Sequence, residues 1–158
     1  MNVIELLAKK LAVYLSAVLT AYVLASAAAT QHVVSSLSSM GVHVDLGDRI
    51  NMTLGDFAGM AGMFLPLVAF ALLVAFLFTA LLCRWFDQWR TPLYLLAGAT
   101  ALICLHLAMN LAFDLTPVAI ARSPGGLLVQ GVAGAAGGFV YVRLNDLLFG
   151  RSTFVITE

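Results

Sequence analysis

The chain has 158 residues, of which 62% are hydrophobic and 10% are charged, and its eight basic and eight acidic residues cancel to a net charge of zero. Soluble domains usually carry about 25% charged residues, so this composition excludes a compact water-soluble fold, which would lack the polar surface it needs. The charge balance also gives no basic patch of the kind that nucleic-acid-binding proteins require. The sequence therefore indicates an integral membrane protein that contacts the lipid bilayer and binds no nucleic acid.

Four apolar stretches are long enough, or nearly so, to cross a bilayer. A spanning helix needs about 20 apolar residues, and the stretches cover residues 11–29, 57–83, 92–115 and 124–142. The first stretch also has the basic start and small-residue end of a secretory signal peptide, and we interpret it as a retained span. The predicted fold is an all-α bundle of four transmembrane helices, with residues 1–158 forming a single membrane domain.

The distribution of basic residues predicts how the bundle is oriented. Short loops rich in Lys and Arg stay in the cytoplasm. Only two basic residues, Arg49 and Arg122, lie on one side of the predicted spans. The other side carries Lys9, Lys10, Arg84, Arg90, Arg143 and Arg151. We therefore expect a bacterial inner-membrane protein with both termini in the cytoplasm, a cap outside at residues 31–56 and a cytoplasmic tail at residues 150–158.

The loop between the second and third stretches has the composition of a membrane anchor. Indole rings prefer the headgroup level of a bilayer, and arginines next to them reach lipid phosphates. We expect four residues of this loop to act as interfacial anchors: Arg84, Trp85, Trp89 and Arg90.

Local sequence signals mark the helix boundaries. Residues 53–56 have the spacing of a capping box and predict that the second span begins there. Pro92 and Pro124 each follow a hydroxyl residue, which favours helix starts at both prolines. Pro66 lies inside the second span and predicts a kink, because proline cannot donate a backbone hydrogen bond.

The cap is expected to contain a short helix and a β-hairpin. Residues 32–40 suit a short helix that Gly41 ends. Over residues 42–54 apolar and polar side chains alternate around the turn signal at Gly47 and Asp48, which is a hairpin pattern. If the turn uses three residues, the predicted hairpin presents its apolar side chains on one face, which should lie on the bundle or the lipid.

Stripes of small residues favour close helix packing in the first and fourth spans. The residues concerned are Ala17, Ala21 and Ala25 in the first, and Gly131, Gly134 and Gly138 in the fourth, where Gly134 and Gly138 form a GxxxG pair. These stripes either meet each other within one chain, or meet another copy or a different subunit. Together with the strand-like tail, they lead to the first functional hypothesis: self-association, or service as an accessory subunit of a membrane complex.

Polar residues in the third span support a second functional hypothesis. His106, Asn110 and Asp114 are four residues apart and share a helix face, and ionisable groups at membrane depth are often functional. Asp56 and Arg122 are expected at the same external level, and Gln130 is a candidate partner in the fourth span. These six residues either line an outward-facing pocket of a transporter, channel or ligand-binding protein, or form interhelical hydrogen bonds that hold the bundle together.

Enzymatic chemistry is not indicated. The sequence contains no recognised nucleophile or zinc-protease motif, so we predict no catalytic residue, no metal site and no cofactor. A haem- or copper-binding subunit is a weaker alternative. It would use His106 with Met60 or Met63 for haem, or the histidines and methionines of the external side for copper.

Overall fold

The computed structural model describes residues 2–113 and 123–150. In chain order these residues form α1 (Val3–Ser39), α2 (Leu46–Ala61), α3 (Phe64–Leu82), α4 (Arg90–Phe113) and α5 (Pro124–Phe149), with a 3₁₀ turn at Asp87–Trp89 before α4. Four of these helices, α1, α3, α4 and α5, are long and apolar enough to cross a membrane. The all-helical fold with four candidate spans is therefore confirmed.

The four long helices pack around a shared core. α5 lies between α1 and α4, and α3 closes the ring on the opposite side, where it contacts α4 and α1. The core between them includes Val18, Leu72, Leu102 and Ala133. Large apolar side chains such as Phe70 cover the outside of the bundle. Such an exterior suits hydrocarbon rather than water, because lipid tails are as apolar as leucine.

The predicted β-hairpin of the cap is wrong. The first helix does not stop near residue 29 but continues to Ser39, and residues 46–61 form α2. The alternation of apolar residues also contains the helical spacing of Leu46, Ile50 and Leu54, and a short window does not distinguish the two periods. The carboxylate of Asp45 favours the helix, because it accepts a hydrogen bond from the Asp48 N–H at 2.8 Å and caps α2. No strand occurs in the described part of the chain.

The second span begins later than the capping-box pattern predicts. α3 starts at Phe64, whereas Thr53 lies inside α2 and donates to the Arg49 carbonyl. Between the two helices, Gly62 and Met63 form an interruption that we call the α2–α3 break. Pro66 explains its position, since proline cannot donate to the carbonyl of the residue four before it, here Gly62, and its ring clashes with that carbonyl. The expected kink therefore takes the form of a two-residue interruption, in which Gly62 and Met63 keep right-handed helical φ and ψ angles.

The remaining boundaries follow local chemistry. α5 begins at Pro124, and the Ser123 hydroxyl oxygen accepts a hydrogen bond from the Gly126 N–H at 3.0 Å. α4 begins at Arg90, two residues before Pro92, because the 3₁₀ turn leads directly into it.

α1 extends beyond any bilayer. Its 37 residues give a length of about 55 Å, against a hydrocarbon core of about 30 Å. Its C-terminal turns and α2 therefore form a helical projection at one end of the bundle, which we call the α2 end.

Gly41 ends α1 in a conformation that suits glycine. Its φ angle is 84°, and a Cβ atom in this region is unfavourable. Gly41→Ala is expected to lower the free energy of unfolding by about 1 kcal/mol, measured by thermal unfolding in detergent. Gly55→Ala, at a helical position with open space around it, is the control and should be neutral or slightly stabilising. Equal effects from the two variants would contradict a strained turn at Gly41.

Candidate buried polar site

Three polar side chains from three helices lie in the bundle interior near the α2 end. Ser26 of α1 and Gln130 of α5 are 0% exposed, and His106 of α4 is 2% exposed. We call these residues the polar cluster. Polar groups buried this deeply normally have hydrogen-bond partners. Whether each polar atom of the cluster has a partner therefore distinguishes a structural site from a binding site.

Most of the hydrogen-bonding capacity of the polar cluster is unused. The Gln130 amide donates to the Ala25 carbonyl at 3.1 Å and ties α5 to α1. The His106 imidazole interacts with the Gln130 side chain, but no hydrogen bond of normal distance and angle reaches either ring nitrogen of His106, Oε1 of Gln130 or Oγ of Ser26 among the described residues. An unpaired buried polar group costs about 1–3 kcal/mol. The cluster is therefore expensive as a purely structural feature.

Aromatic rings cover the polar cluster on the side of α2 and α3. The Phe64 ring stacks on the His106 imidazole with a centroid distance of 5.6 Å. Tyr22 of α1 packs against Phe64 at 6.0 Å and against Phe57 of α2 at 6.5 Å. The Tyr22 hydroxyl also donates to the Phe57 carbonyl at 2.6 Å. We call Tyr22, Phe57 and Phe64 the aromatic cover.

A carboxylate joins α2 to α1 next to the cover. The Thr30 hydroxyl donates to Asp56 Oδ2 at 2.7 Å. Thr30 lies one helical turn after Ser26 on the buried face of α1, so Asp56 is held toward the α2 end of the polar cluster. The described partner of the Asp56 carboxylate is thus the Thr30 hydroxyl of the first span.

The structure brings together only part of the predicted pocket. His106 and Gln130 are neighbours in the interior, and Asp56 reaches α1. Asn110 is exposed on the outside of α4, because each step of four residues rotates the helix face by about 40°. Asp114 and Arg122 lie outside the described residues, as does most of the tail at 150–158.

An apolar layer separates the polar cluster from the other half of the bundle. Val68 and Leu72 of α3 and Leu102 of α4 are completely buried at this level. Beyond them, the rings of Phe76, Tyr94 and Tyr141 contact one another with centroid distances from 4.6 to 5.4 Å. The polar cluster is therefore closed on this side by tightly packed side chains.

The opposite end of the bundle carries an ion pair between helices. Arg90 at the start of α4 donates to Asp146 near the end of α5 at 2.6 Å, and both side chains are mostly buried. Of the four expected anchors, Arg84, Trp85 and Trp89 are exposed, whereas Arg90 binds Asp146.

The small-residue stripes contact other helices of the same chain. Added Cβ atoms at Gly134 and Gly138 would overlap the backbone of α4 at Gly98 and Tyr94, respectively. The face of α1 lies against α5, where a Cβ atom at Gly137 would be 2.9 Å from the Ala17 carbonyl oxygen and 3.0 Å from the Ala21 Cβ. The remaining members of the two stripes, Ala25 and Gly131, are also buried.

Candidate metal ligands do not gather in the described part of the chain. No group of three or more His, Cys, Asp or Glu residues there is placed to hold a metal ion. Cys83 is half-buried and Cys104 is exposed, and no disulfide joins them. The polar cluster therefore offers hydrogen-bonding groups rather than a ligand set of these residue types.

The fold and the site together define a multi-pass membrane protein with a buried polar cluster in its helical bundle. No protein-family model, no curated protein and no solved structure matches the chain.

Proposed function

We propose that this protein binds a small uncharged polar molecule at the polar cluster. The observation that carries the proposal is the set of four buried polar atoms of Ser26, His106 and Gln130 that make no hydrogen bond of normal geometry among the described residues. Natural proteins tolerate such groups mainly at functional sites, where a local loss of stability supports binding or catalysis.

The unpaired atoms define the chemistry of the ligand. The Gln130 oxygen accepts a hydrogen bond, an uncharged imidazole has one donor and one acceptor, and a serine hydroxyl both donates and accepts. A complementary molecule must therefore donate and accept. None of the three side chains provides a carboxylate or a permanent cation, and the Asp56 carboxylate already accepts from Thr30. Small alcohols, amides and water have the required properties.

The geometry favours binding over conduction. A path through the whole bilayer would need polar groups in both halves of the bundle. Val68, Leu72 and Leu102 fill the interior below the polar cluster, and the ring contacts of Phe76 and Tyr94 follow below that layer. The site would thus communicate with one end of the bundle, the α2 end.

Association is the second hypothesis from the sequence. The small-residue faces on which it depends contact α1, α4 and α5 within the chain. They therefore give less support to self-association, or to docking on a larger complex, than the polar cluster gives to ligand binding.

The proposed setting is the bacterial inner membrane with both termini in the cytoplasm. The support is the excess of Lys and Arg at the Trp85 end of the bundle, since such residues favour the cytoplasmic side. In this orientation the α2 end and the polar cluster face outward.

Stability measurements distinguish a binding site from interhelical hydrogen bonds that hold the bundle together. Ser26→Ala removes an unpaired buried hydroxyl and is expected to leave the free energy of unfolding unchanged or to raise it. Thr30→Val, one turn away, is the matched control. It removes a hydroxyl that is paired with Asp56 and should lower the free energy by about 1–2 kcal/mol. Both values are measured by unfolding in mixed detergent micelles.

Binding is measured on the same preparations with acetamide, formamide and glycerol as probes. At least one probe should raise the unfolding midpoint of the wild type saturably, because a ligand of the folded state stabilises it. The same probe should leave the unfolding midpoint of Gln130→Met unchanged. If Ser26→Ala destabilises as much as Thr30→Val and no probe has an effect, the polar cluster is structural and the proposal is wrong.

A further inference from the structure

We infer that α2 is a hinged lid on the Tyr22 and Phe64 rings that cover the polar cluster, and that the lid must open before a small uncharged hydrogen-bonding molecule, of which water is the smallest, can reach His106. This inference rests on the proposed function and adds the way in which the site is opened.

The site is closed in this structure. Ser26, His106 and Gln130 are at most 2% exposed, and their unpaired atoms are buried. The rings of Phe64 and Tyr22 stand between His106 and Phe57 of α2. A molecule that binds the cluster therefore needs a movement of the surrounding helices.

Three of those helices are poorly placed to move. α5 lies in backbone contact with α4 at Gly98 and Gly134. It also packs against the alanine face of α1 at Gly137. Separating these helices would break close packing along their length, and packing is the main force that holds helices together in a bilayer.

α2 is attached much more weakly. It contains no buried residue, and its last turn, with Met60 and Ala61, packs against the core beside the α2–α3 break. Elements with little buried surface open at low free-energy cost. Among the described residues, two hydrogen bonds donated by side chains of α1 hold α2 in place: Thr30 donates to Asp56, and Tyr22 donates to the Phe57 carbonyl. We call the first of these the latch.

The α2–α3 break provides the hinge. α3 begins without a side-chain cap, and Pro66 cannot donate a hydrogen bond to the Gly62 carbonyl. Added Cβ atoms at Gly59 and Gly62 would meet nothing within 4 Å, so no neighbouring group packs against that side of the backbone at these positions. Rotation about the break would carry Phe57 away from Tyr22. The Tyr22 and Phe64 rings, which lie over His106, would then have room to turn aside.

A reversible cross-link tests the lid. Thr30→Cys and Asp56→Cys place two thiols at the latch, in a chain in which Cys83 and Cys104 are replaced by alanine. A short bifunctional thiosulfonate reagent locks the lid, and a reductant releases it. The readout is the incorporation of deuterium from D2O at the Cε1 carbon of each histidine. Exchange takes place in the whole folded protein, which is then digested so that mass spectrometry measures each histidine in its own peptide.

His32 and His43 are exposed and serve as internal controls in the same samples. We expect locking to slow exchange at His106 by about tenfold, reduction to restore it, and His32 and His43 to remain unchanged. The single variant Thr30→Cys, treated with the same reagent, should show no slowing. Thr30→Val, which removes the latch without any cross-link, should speed exchange at His106.

The outcomes separate the two proposals. Equal exchange at His106 in the locked and released protein, with no acceleration in Thr30→Val, would show that the site is reached without α2 and would overturn the lid. No exchange at His106 in any state, over a period in which His32 and His43 exchange fully, would show that the cluster is sealed and would overturn the proposed function.

Discussion

Replacing Gly134 with alanine is expected to disrupt the packing of α4 on α5 and to lower the free energy of unfolding by about 3 kcal/mol or more. A Cβ atom at this position would lie 2.7 Å from the carbonyl carbon of Gly98 and would overlap its oxygen. Backbone atoms cannot rotate out of the way as the end of a side chain can, so the two helices would have to move apart. The folded fraction in mild detergent, followed by circular dichroism during titration with a denaturing detergent, measures the loss.

Gly125→Ala is the matched control in the same helix. An added Cβ atom there meets nothing within 4 Å, and alanine has the higher helix propensity. This variant should unfold at the same denaturant concentration as the wild type or slightly above it. Indistinguishable behaviour of Gly125→Ala and Gly134→Ala would contradict the backbone contact between α4 and α5.

Removing the carboxylate of Asp146 is expected to cost about 2 kcal/mol, somewhat less than the 3–5 kcal/mol typical of a fully buried pair. The side chains of Arg90 and Asp146 are 17% and 29% exposed and 2.6 Å apart. Asp146→Ala leaves the Arg90 guanidinium partly desolvated at the start of α4, where the helix dipole also disfavours a positive charge. The measurement is the free energy of unfolding in detergent.

Exchanging the two charges tests whether the pair itself is responsible. The double variant Arg90→Asp with Asp146→Arg should recover part of the loss, because each charge then also lies at the end of the helix dipole that favours it. Glu5→Ala is the control, since the pair of Glu5 with Lys9 is exposed and such pairs contribute little. A loss for Asp146→Ala no larger than that for Glu5→Ala would show that the interhelical pair is unimportant.

The number of membrane helices follows from the sequence because long apolar stretches allow few structures in a bilayer. The helix is the local way to satisfy every backbone polar group there. The secondary structure of the region around α2 could not be predicted from the sequence in the same way. Ile50 and Leu54 fit a strand period and a helix period equally well, and the difference lies in the cap that Asp45 provides. A short amphipathic segment is thus decided by its ends more than by its pattern.

Parts of the polar cluster were also visible in the sequence. His106 and Gln130 stand out because such residues are rare in apolar stretches. Ser26 does not, since serine in a membrane helix commonly bonds the carbonyl one turn before it, as Ser16 does to Ala12. The aromatic cover was missed because Phe64 looks like any other apolar residue until its contact with His106 is known.

Long-range partners were the least predictable features. Arg90 was expected to bind lipid phosphate because of the tryptophans beside it. Its actual partner, Asp146, is 56 residues away along the chain, and no local pattern indicates that pair. Gly98 gave no signal either, since a single glycine in a helix does not reveal which backbone approaches it. In both cases the missing information is the lateral order of the helices, which periodicity and spacing do not contain.

Because α5 lies between α1 and α4, the bundle cannot close during synthesis until α5 has entered the bilayer. The ribosome delivers α1, α3 and α4 first, and in that interval Ala17, Ala21 and Gly98 face lipid or whatever insertion factor attends the nascent chain. Premature termination before α5 would leave three helices with unfilled grooves, a natural substrate for membrane quality-control proteases.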